Sequence, residues 1–335
     1  MEEQQPRKKT WITIAVITLV IILLVVFVDI GAVMDTLRGV NLGLLILGGI
    51  ILLGGMLLIS ARLQYLLGTE VGFPKVLNAD GISYMIRMFT TIFLPVLRVA
   101  TLTATTPLTA AQATPAMMAV QLTEITMRFI ALILAAFLIF KSEITSGWII
   151  LWIVLITGVF GLLVRVSSHA DDYLPRLISW LGRIPRVEEE RIKGPITSLG
   201  RGLATTGTTR RLLVSLLISL VMWSSFLIFY AMMFEALGFG VNLEESLALS
   251  AALLVILPPS TPAMIVVNQA MMVVFLIPFG IADTSELTAY AVLVFGVQLV
   301  IWTILGIWGL RRTNLKVRDV IRMPKSIPED QNQDD

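Results

Sequence analysis

Four arginines and one glutamate lie within or beside strongly apolar segments of this chain, and they are the side chains best suited to bind a ligand there. The arginines are Arg62, Arg87, Arg98 and Arg128, and the carboxylate is Glu124. Ionisable groups at membrane depth are costly and mark substrate or ion pathways unless they are paired. Arginine is permanently charged and can bind phosphate through two parallel hydrogen bonds. An excess of arginine therefore predicts a site for an anionic group such as a phosphate.

The spacing of Glu124 and Arg128 leaves two interpretations open. Residues four apart lie on one helix face, so the two can neutralise each other and simply make the helix insertable. In the other interpretation, Arg87, Arg98 and Arg128 outnumber Glu124 and leave net positive charge for a ligand. Arg62 lies near the inner end of its apolar segment, where we expect its side chain to extend to the lipid headgroups.

Two apolar stretches are each interrupted by a proline-centred polar patch, Leu94–Pro107 and Pro258–Pro262. Backbone that leaves helical hydrogen bonding inside lipid is tolerated only where protein or a watery cavity satisfies it. The two patches are therefore the candidate site. In the second patch, the prolines end one helix, and Ser260 and Thr261 can cap the next. The predicted substrate-binding residues are Arg87, Arg98, Glu124, Arg128, Ser260, Thr261, Asn268 and Gln269.

The composition excludes several kinds of chemistry. The chain has no cysteine and a single histidine, His169, which excludes disulfides, thiolate metal sites and histidine-rich metal clusters. Glu124 is the only carboxylate well inside a predicted span, whereas a magnesium site normally uses more than one. We predict no catalytic residue, no metal and no cofactor, and an enzymatic role is less favoured than a non-enzymatic one.

The elements that must position these residues are membrane helices. Hydrophobic residues make up 56% of the chain and charged residues 14%, and the mean hydropathy is +0.88, which is typical of a multi-pass membrane protein. The first apolar segment is favoured as an uncleaved anchor because no small-x-small cleavage pattern precedes Asp29. The predicted spans are Trp11–Val28, Leu42–Leu67, Pro115–Phe140, Gly147–Val166, Leu212–Leu237 and Thr284–Leu310.

Positive charge orients the helices, because lysine and arginine in short loops stay on the cytoplasmic side. Basic residues concentrate in segment 1–10, in loop 166–210 and in tail 312–335, so we assign all three to the cytoplasm. The transmembrane domain then covers 11–311, and the protein is predicted to lie in the cell membrane with both termini inside. Loop 166–210 contains a predicted amphipathic helix whose arginines meet anionic lipids of the inner leaflet. No separate soluble catalytic domain and no nucleic-acid partner is predicted.

The number of crossings implies two helical hairpins that re-enter the membrane. Between an inner loop at Glu70–Asp80 and the later basic loop, the chain must cross an even number of times. Gly81–Thr114 is therefore predicted to enter from the cytoplasm, turn between Pro95 and Pro107, and return. By the same count, Leu243–Gly280 enters from outside and turns at Pro258–Pro262. The predicted fold class is all-α, with about six spanning helices and two re-entrant hairpins in an inverted repeat.

A set of motifs occurs in a recognisable order along the chain. Arg62 closes the second helix, Leu94-Pro95 is followed by Arg98, Glu124 lies on a later helix, and Leu257-Pro258…Pro262 is followed by Phe279-Gly280. This order resembles the flippase-like transmembrane region of lysylphosphatidylglycerol synthases over most of the chain. The resemblance implies two inverted hairpins that move lipids between leaflets, without the soluble aminoacyl-transferase domain that some members carry. The chain departs from the family pattern after Pro95, after Pro262, at Gln269 and at Arg128.

The leading functional hypothesis is translocation of a lipid or lipid-linked substrate between leaflets, with an anionic headgroup bound by buried arginine between the hairpin tips. A membrane phospholipid or lipid-linked substrate is the expected partner, and formation of a homo-oligomer is left open. One alternative is a membrane-embedded lipid transferase, which normally needs an acid or base and often a metal held by carboxylates. Another is a non-transporting scaffold or accessory subunit. Translocation requires both tips to converge on a polar cavity that opens sideways to lipid, whereas tips buried in dry side chains would argue against it.

Overall fold

The computed structural model describes residues 30–68, 71–90, 93–139, 209–257 and 264–322, together with Gly158. Within these ranges the regular elements are all helices. The predictions for segment 1–10, Trp11–Val28, Gly147–Val166 and most of loop 166–210 lie outside the described residues. The helices are α1 (Ile30–Arg38), α2 (Leu42–Leu67), α3 (Phe73–Phe89), α4 (Leu94–Thr105), α5 (Ala110–Ile139), α6 (Thr209–Ala236), α7 (Leu243–Ile256), α8 (Met264–Leu276), α9 (Thr284–Thr313) and α10 (Val317–Arg322), with a 3₁₀ turn at Ile277–Phe279 after α8.

Among the described residues, four helices are long and apolar enough to cross a membrane, namely α2, α5, α6 and α9. They correspond to the predicted spans that begin at Leu42, Pro115, Leu212 and Thr284, which are thereby confirmed as helices. Polar caps set where several of them begin. The Asn41 side chain accepts the Leu44 N–H at 3.2 Å before α2, and a capping box precedes α9.

The first interruption lies before Pro95 rather than after it. α3 ends at Phe89 and α4 begins at Leu94, so the predicted turn between Pro95 and Pro107 is wrong. Proline is well accommodated in the first turn of a helix, where its missing N–H would have no partner in any case, and Pro95 occupies this position. Pro107 lies in the following connection, between α4 and α5.

The helix before this interruption is also longer than predicted. α3 begins at Phe73 rather than Gly81, with Pro74 in its first turn, so Asp80 is helical and does not belong to an inner loop. In the second half of the chain, α7 ends at Ile256 and α8 begins at Met264. The predicted break at Pro258–Pro262 fits between these helices, and its residues lie outside the described ranges.

Helices α2 and α6 pack against each other in opposite directions. At one end of the pair, the Asn41 N–H donates to the Ala236 carbonyl at 2.8 Å. Towards the other end, the Arg62 guanidinium donates to Ser219. Gly55 lies against Phe226 between these points, close enough that a Cβ there would be 2.9 Å from the Phe226 ring. Small residues allow this close approach of membrane helices.

The two short helix pairs pack on the other half of the molecule in the same way. α3 runs antiparallel to α9, since Gly81 lies against Leu305 and Gly309 lies against Asn78. α7 runs antiparallel to α5, where Arg128 binds the carbonyls at the end of α7. In the two halves, α2 corresponds to α6, α3 to α7 and α5 to α9. If the halves are exchanged, the α2–α6 contact is unchanged, and the α3–α9 contact takes the place of the α5–α7 contact.

An aromatic core fixes α9 against α6 next to the short helices. The buried Tyr290 ring stacks on Phe234 with centroids 4.3 Å apart. Its hydroxyl donates to the Tyr230 carbonyl at 3.2 Å, and Gln298 donates to the Tyr230 hydroxyl at 3.2 Å. These bonds satisfy the polar ends of buried side chains, which would otherwise be costly.

Candidate functional site

A buried ion pair joins the two short helices of the first half. Arg98 on α4 donates from Nε to Asp80 Oδ1 at 2.7 Å and from Nη2 to Asp80 Oδ2 at 2.9 Å. Ser60 on α2 donates to the same carboxylate at 2.7 Å. Both charged side chains are nearly fully enclosed. The bidentate geometry neutralises Arg98 within the fold.

Arg62 is enclosed in the protein and does not extend to the lipid headgroups, so that prediction is wrong. Its residue exposure is 0%. Nη2 forms an ion pair with Glu124 Oε1 on α5 at 2.5 Å, and Nη1 donates to Ser219 on α6 at 2.8 Å and to Thr123 at 3.2 Å. Side chains of α5 and α6 therefore bind the guanidinium inside the protein, away from the membrane surface.

Glu124 and Arg128 have separate partners, although both lie on α5. Glu124 pairs with Arg62 and also accepts the Trp223 indole N–H at 3.2 Å. No ion pair between Glu124 and Arg128 occurs in this described part of α5. The interpretation that the two only neutralise each other is therefore not supported.

Arg128 instead caps the broken end of α7. Its Nη1 atom donates to the carbonyls of Leu254, Val255 and Leu257 at 3.0 to 3.2 Å, and its guanidinium lies 5.8 Å from the centre of the Trp223 ring. The last carbonyls of a helix have no intrahelical partner and carry the negative end of the helix dipole. Arg128 thus supplies donors and charge where the second helix pair is interrupted.

Arg87 has two buried donor atoms without a partner, and Arg62 Nε is a further one among the described arginines. Arg87 lies in the last turn of α3 and is 7% exposed, yet its Nε and Nη2 atoms have no hydrogen-bond partner among the described residues. A buried donor without a partner costs about 1–3 kcal/mol, and more when it is charged. The other charged groups within its electrostatic range, Arg98 and Arg128, are also positive.

Arginine and carboxylate are unequal in number in the described core. In the described core, Asp80 neutralises Arg98 and Glu124 neutralises Arg62. Arg87 and Arg128 have no carboxylate partner there. Arginine still outnumbers carboxylate among these buried side chains, although the hypothesis had counted Arg98 as free and had missed Asp80. Binding of an anion by the remaining charge stays a prediction. Pro74 was the sequence signal that could have placed Asp80 in a helix, because proline is favoured in the first turn. In that helix Asp80 lies on the same face as Tyr84 and Arg87.

A small cavity lies where the two helix pairs are interrupted, and we call it the tip cavity. Met88 at the end of α3 and Leu257 at the end of α7 both line it, with Trp302 on α9. Its volume is about 30 Å³, which is room for about one or two water molecules. Most of its lining is apolar, so it is not the polar cavity open to lipid that the translocation hypothesis requires. The predicted residues Asn268 and Gln269 line it from α8, whereas Ser260 and Thr261 lie outside the described residues.

Nothing in the described ranges is arranged to hold a metal, because no three histidine, aspartate or glutamate side chains cluster there. A family model described as the lysylphosphatidylglycerol synthase TM region matches residues 10–306. The chain belongs to this family. No curated protein and no solved structure matches it.

Membership of the lysylphosphatidylglycerol synthase TM-region family confirms the resemblance that Arg62, the Leu94-Pro95 motif and the Leu257-Pro258 motif had indicated. It places the chain in the membrane and connects its function with membrane lipids. The long apolar helices α2, α5, α6 and α9 agree with this location.

Proposed function

We propose that this protein moves a membrane lipid or lipid-linked substrate between the two leaflets, with an anionic headgroup held between the two helix pairs. The observation that carries this proposal is the tip cavity. Met88 beside the first interruption and Leu257 beside the second line the same space. The end of α3 in one half and the residue after α7 in the other thus border one internal position, which is where inverted-repeat transporters bind their substrates.

The lengths of the short helices support re-entrant hairpins. α3, α4, α7 and α8 contain 17, 12, 14 and 13 residues, which gives lengths of about 18 to 26 Å at about 1.5 Å per residue. A hydrocarbon core of about 30 Å is longer than any of them. Each pair therefore suits a hairpin that enters the membrane and returns to the same side.

The packing of the halves supports an inverted repeat. The first helix of each short pair packs against a long helix of the opposite half. Helix α3 packs against α9, and α7 packs against α5, the last long helix described in its half. Rocking of one half against the other would then move both interruptions relative to the tip cavity. In the present arrangement the cavity is too small for a headgroup, so translocation requires the tips to separate.

Two arginines without an ion-pair partner support an anionic headgroup. Arg87 and Arg128 lie within electrostatic range of each other, and neither forms an ion pair with a carboxylate in the described core, although Glu124 attracts Arg128 at longer range. The two buried carboxylates of the described core that a transferase could use as acid, base or metal ligand are already engaged, since Glu124 binds Arg62 and Asp80 binds Arg98. The same groups therefore favour binding over chemistry.

A vesicle assay tests the proposal. The protein is reconstituted into vesicles with phosphatidylglycerol labelled on an acyl chain, and an impermeant reductant bleaches the label in the outer leaflet. We expect wild-type protein to expose inner-leaflet lipid faster than protein-free vesicles, and Arg87→Gln to slow this exchange. Arg38→Gln is the matched control, because it removes the same charge from an exposed pair with Asp35. Folded wild-type protein that exchanges no more lipid than empty vesicles would favour the scaffold alternative.

A further inference from the structure

The chain changes direction sharply after its last long helix. α9 ends at Thr313, and Asn314 follows it with φ of 55° and ψ of 19°, in the left-handed region. Asparagine adopts this conformation more readily than most residues and is therefore suited to end a helix. The next helix, α10, begins at Val317, and its Asp319 N–H donates to the Lys316 carbonyl at 2.9 Å. We call residues 315–321 the strap.

The strap packs against the first pair of short helices. Its Val320 side chain has no exposed surface and belongs to a buried apolar cluster with residues from both helices of that pair. The other buried members are Ile82, Met85 and Ile86 on α3 and Leu97 on α4, and Leu310, Leu315 and Ile321 pack around them. The strap therefore connects the end of α9 with α3 and α4.

The helix in the strap depends on this contact. Isolated helices shorter than about 12 residues are marginal in water, and α10 has only 6 residues. Val317, Arg318 and Asp319 are exposed, and Val320 is the buried residue among the α10 side chains that the structure describes. Since so few apolar contacts hold the strap, it can open locally while the long helices stay folded.

The strap is a second attachment for α4. The first helix of the pair, α3, is fixed to α9 by close backbone contacts at Gly81 and Gly309. By contrast, α4 packs against α3, α5 and α10. The Asp80–Arg98 ion pair ties α4 to α3, and the strap ties it to the end of α9. A movement of α4 away from α9 must therefore break the burial of Val320.

We infer that the strap is an autoinhibitory brace, which holds α4 in place when Val320 is docked and releases α4 when Val320 withdraws. This inference rests on the proposed function, because movement of the short helices is what translocation requires. The strap lies beyond residues 10–306, the part of the chain that the family model matches. The brace is therefore an addition to the region that this chain shares with its family.

Hydrogen–deuterium exchange of the full chain in a neutral detergent tests the brace. Val320→Ala removes two buried methyl groups, and Val317→Ala is the matched control, because it makes the same change on the exposed side of the same helix. We expect Val320→Ala to speed amide exchange in α4 and α10 by roughly tenfold, as for a large-to-small change at a buried contact. Val317→Ala should leave α4 unchanged. Equal exchange of α4 in the wild type and in Val320→Ala would overturn the inference.

Thermal unfolding separates release of the strap from general loss of stability. The unfolding temperature of Val320→Ala should stay close to that of the wild type, because the packing of α2, α5, α6 and α9 does not involve the strap. Faster amide exchange in all described helices, with a large drop in unfolding temperature, would show that Val320 supports the whole fold and would overturn the inference.

Lipid exchange in phosphatidylglycerol vesicles tests the braking role. Val320→Ala should exchange lipid roughly two- to tenfold faster than the wild type, because the released form becomes more populated. A slower or equal rate, in a protein whose α4 is looser, rejects the brake and leaves the proposed function standing. If neither the wild type nor Val320→Ala exchanges lipid, the proposed function and the brake are both rejected, while faster amide exchange in α4 still supports the attachment of α4 by the strap.

Discussion

Arg62 has no exposed surface, so its guanidinium depends on partners from other helices. Glu124 on α5 and Ser219 on α6 supply them. Loss of one member of a buried ion pair leaves an uncompensated charge, which is more destabilising than loss of the whole pair. The contact is therefore expected to stabilise the junction of α2, α5 and α6, and it contrasts with Arg87, whose charge the fold leaves unpaired.

We predict that Arg62→Gln lowers the free energy of unfolding by about 3–5 kcal/mol. The double variant Arg62→Gln/Glu124→Gln should recover part of this loss, because it removes both charges together. Thermal unfolding in detergent, followed by tryptophan fluorescence, measures the effect. Arg38→Gln should change stability little, since exposed ion pairs contribute little. Additive effects of the two single substitutions would show that Arg62 and Glu124 do not interact.

The partners of Arg62 could not be predicted from a single sequence. Glu124 is 62 positions away and Ser219 is 157, and no local pattern indicates which distant residue a buried charge will meet. Arg62 lies close to the end of its helix, where extension to the headgroups is the common outcome. The excess of arginine over carboxylate was predictable, since it depends on residue types and hydropathy alone.

Among the helices, α3 and α9 approach closely because glycine lines their contact. A Cβ added at Gly81 would lie 2.6 Å from the Leu305 carbonyl oxygen, which is part of the backbone and cannot turn aside. A Cβ added at Gly309 would lie at the same distance from the Asn78 carbonyl oxygen. Any larger residue at these positions must push the first helix pair away from α9.

We predict that Gly81→Ala lowers the unfolding temperature, because the helices must separate to admit the methyl group. Gly54→Ala is the matched control on α2, where no atom lies within 4 Å of the added Cβ. This control should be neutral or stabilising, since alanine favours a helix by about 1 kcal/mol over glycine. Equal unfolding temperatures for the two variants would contradict the close contact of α3 with α9.

The end of α7 depends on a side chain from another helix, because Arg128 on α5 binds its last carbonyls. We predict that Arg128→Gln speeds amide hydrogen exchange at Val255, Ile256 and Leu257 by roughly tenfold, because the last carbonyls lose a charged donor. Arg128→Lys should retain most of the protection, since an ammonium group also offers three donors. Hydrogen–deuterium exchange with peptide readout measures both variants. Exchange unchanged in Arg128→Gln would show that the cap does not hold α7.

Hydropathy predicts the long helices well, because a crossing requires only length and apolar composition. The first pair of short helices was displaced in the prediction because Pro95 was treated as part of the interruption. Pro74 and Pro95 instead lie in the first turns of α3 and α4, where proline fits without loss of a hydrogen bond. The same rule applied to both prolines would have moved the first interruption to the residues before Leu94.

Across the whole molecule, the described charges separate by end. The contact of Arg62 with Ser219 joins the end of α2 to the first half of α6. The contact of Asn78 with Gly309 joins the start of α3 to the end of α9. These four helix ends lie at one end of the molecule. A cavity of about 580 Å³ at the opposite end is lined by Ile139, Glu245 and Ile281. The first end carries mainly basic residues, namely Lys75, Arg210, Arg211, Arg311, Arg312, Lys316 and Arg318, with the acidic Asp319. The second end carries mainly acidic residues, namely Asp35, Glu235, Glu244, Glu245, Asp283 and Glu286, with the basic Arg38.

This separation predicts the orientation in the cell, because basic ends remain in the cytoplasm. The chain has no cysteine, so a single introduced cysteine can be labelled without background. Glu235 and Lys316 are both exposed and lie at opposite ends. We expect Glu235→Cys to react with an impermeant maleimide on intact cells, and Lys316→Cys to react only after the membrane is opened. The reverse result would overturn the orientation alone. Reaction of both positions from the same side would contradict the antiparallel packing of α2 with α6 and of α3 with α9, and with it the exchange symmetry on which a two-hairpin translocator depends.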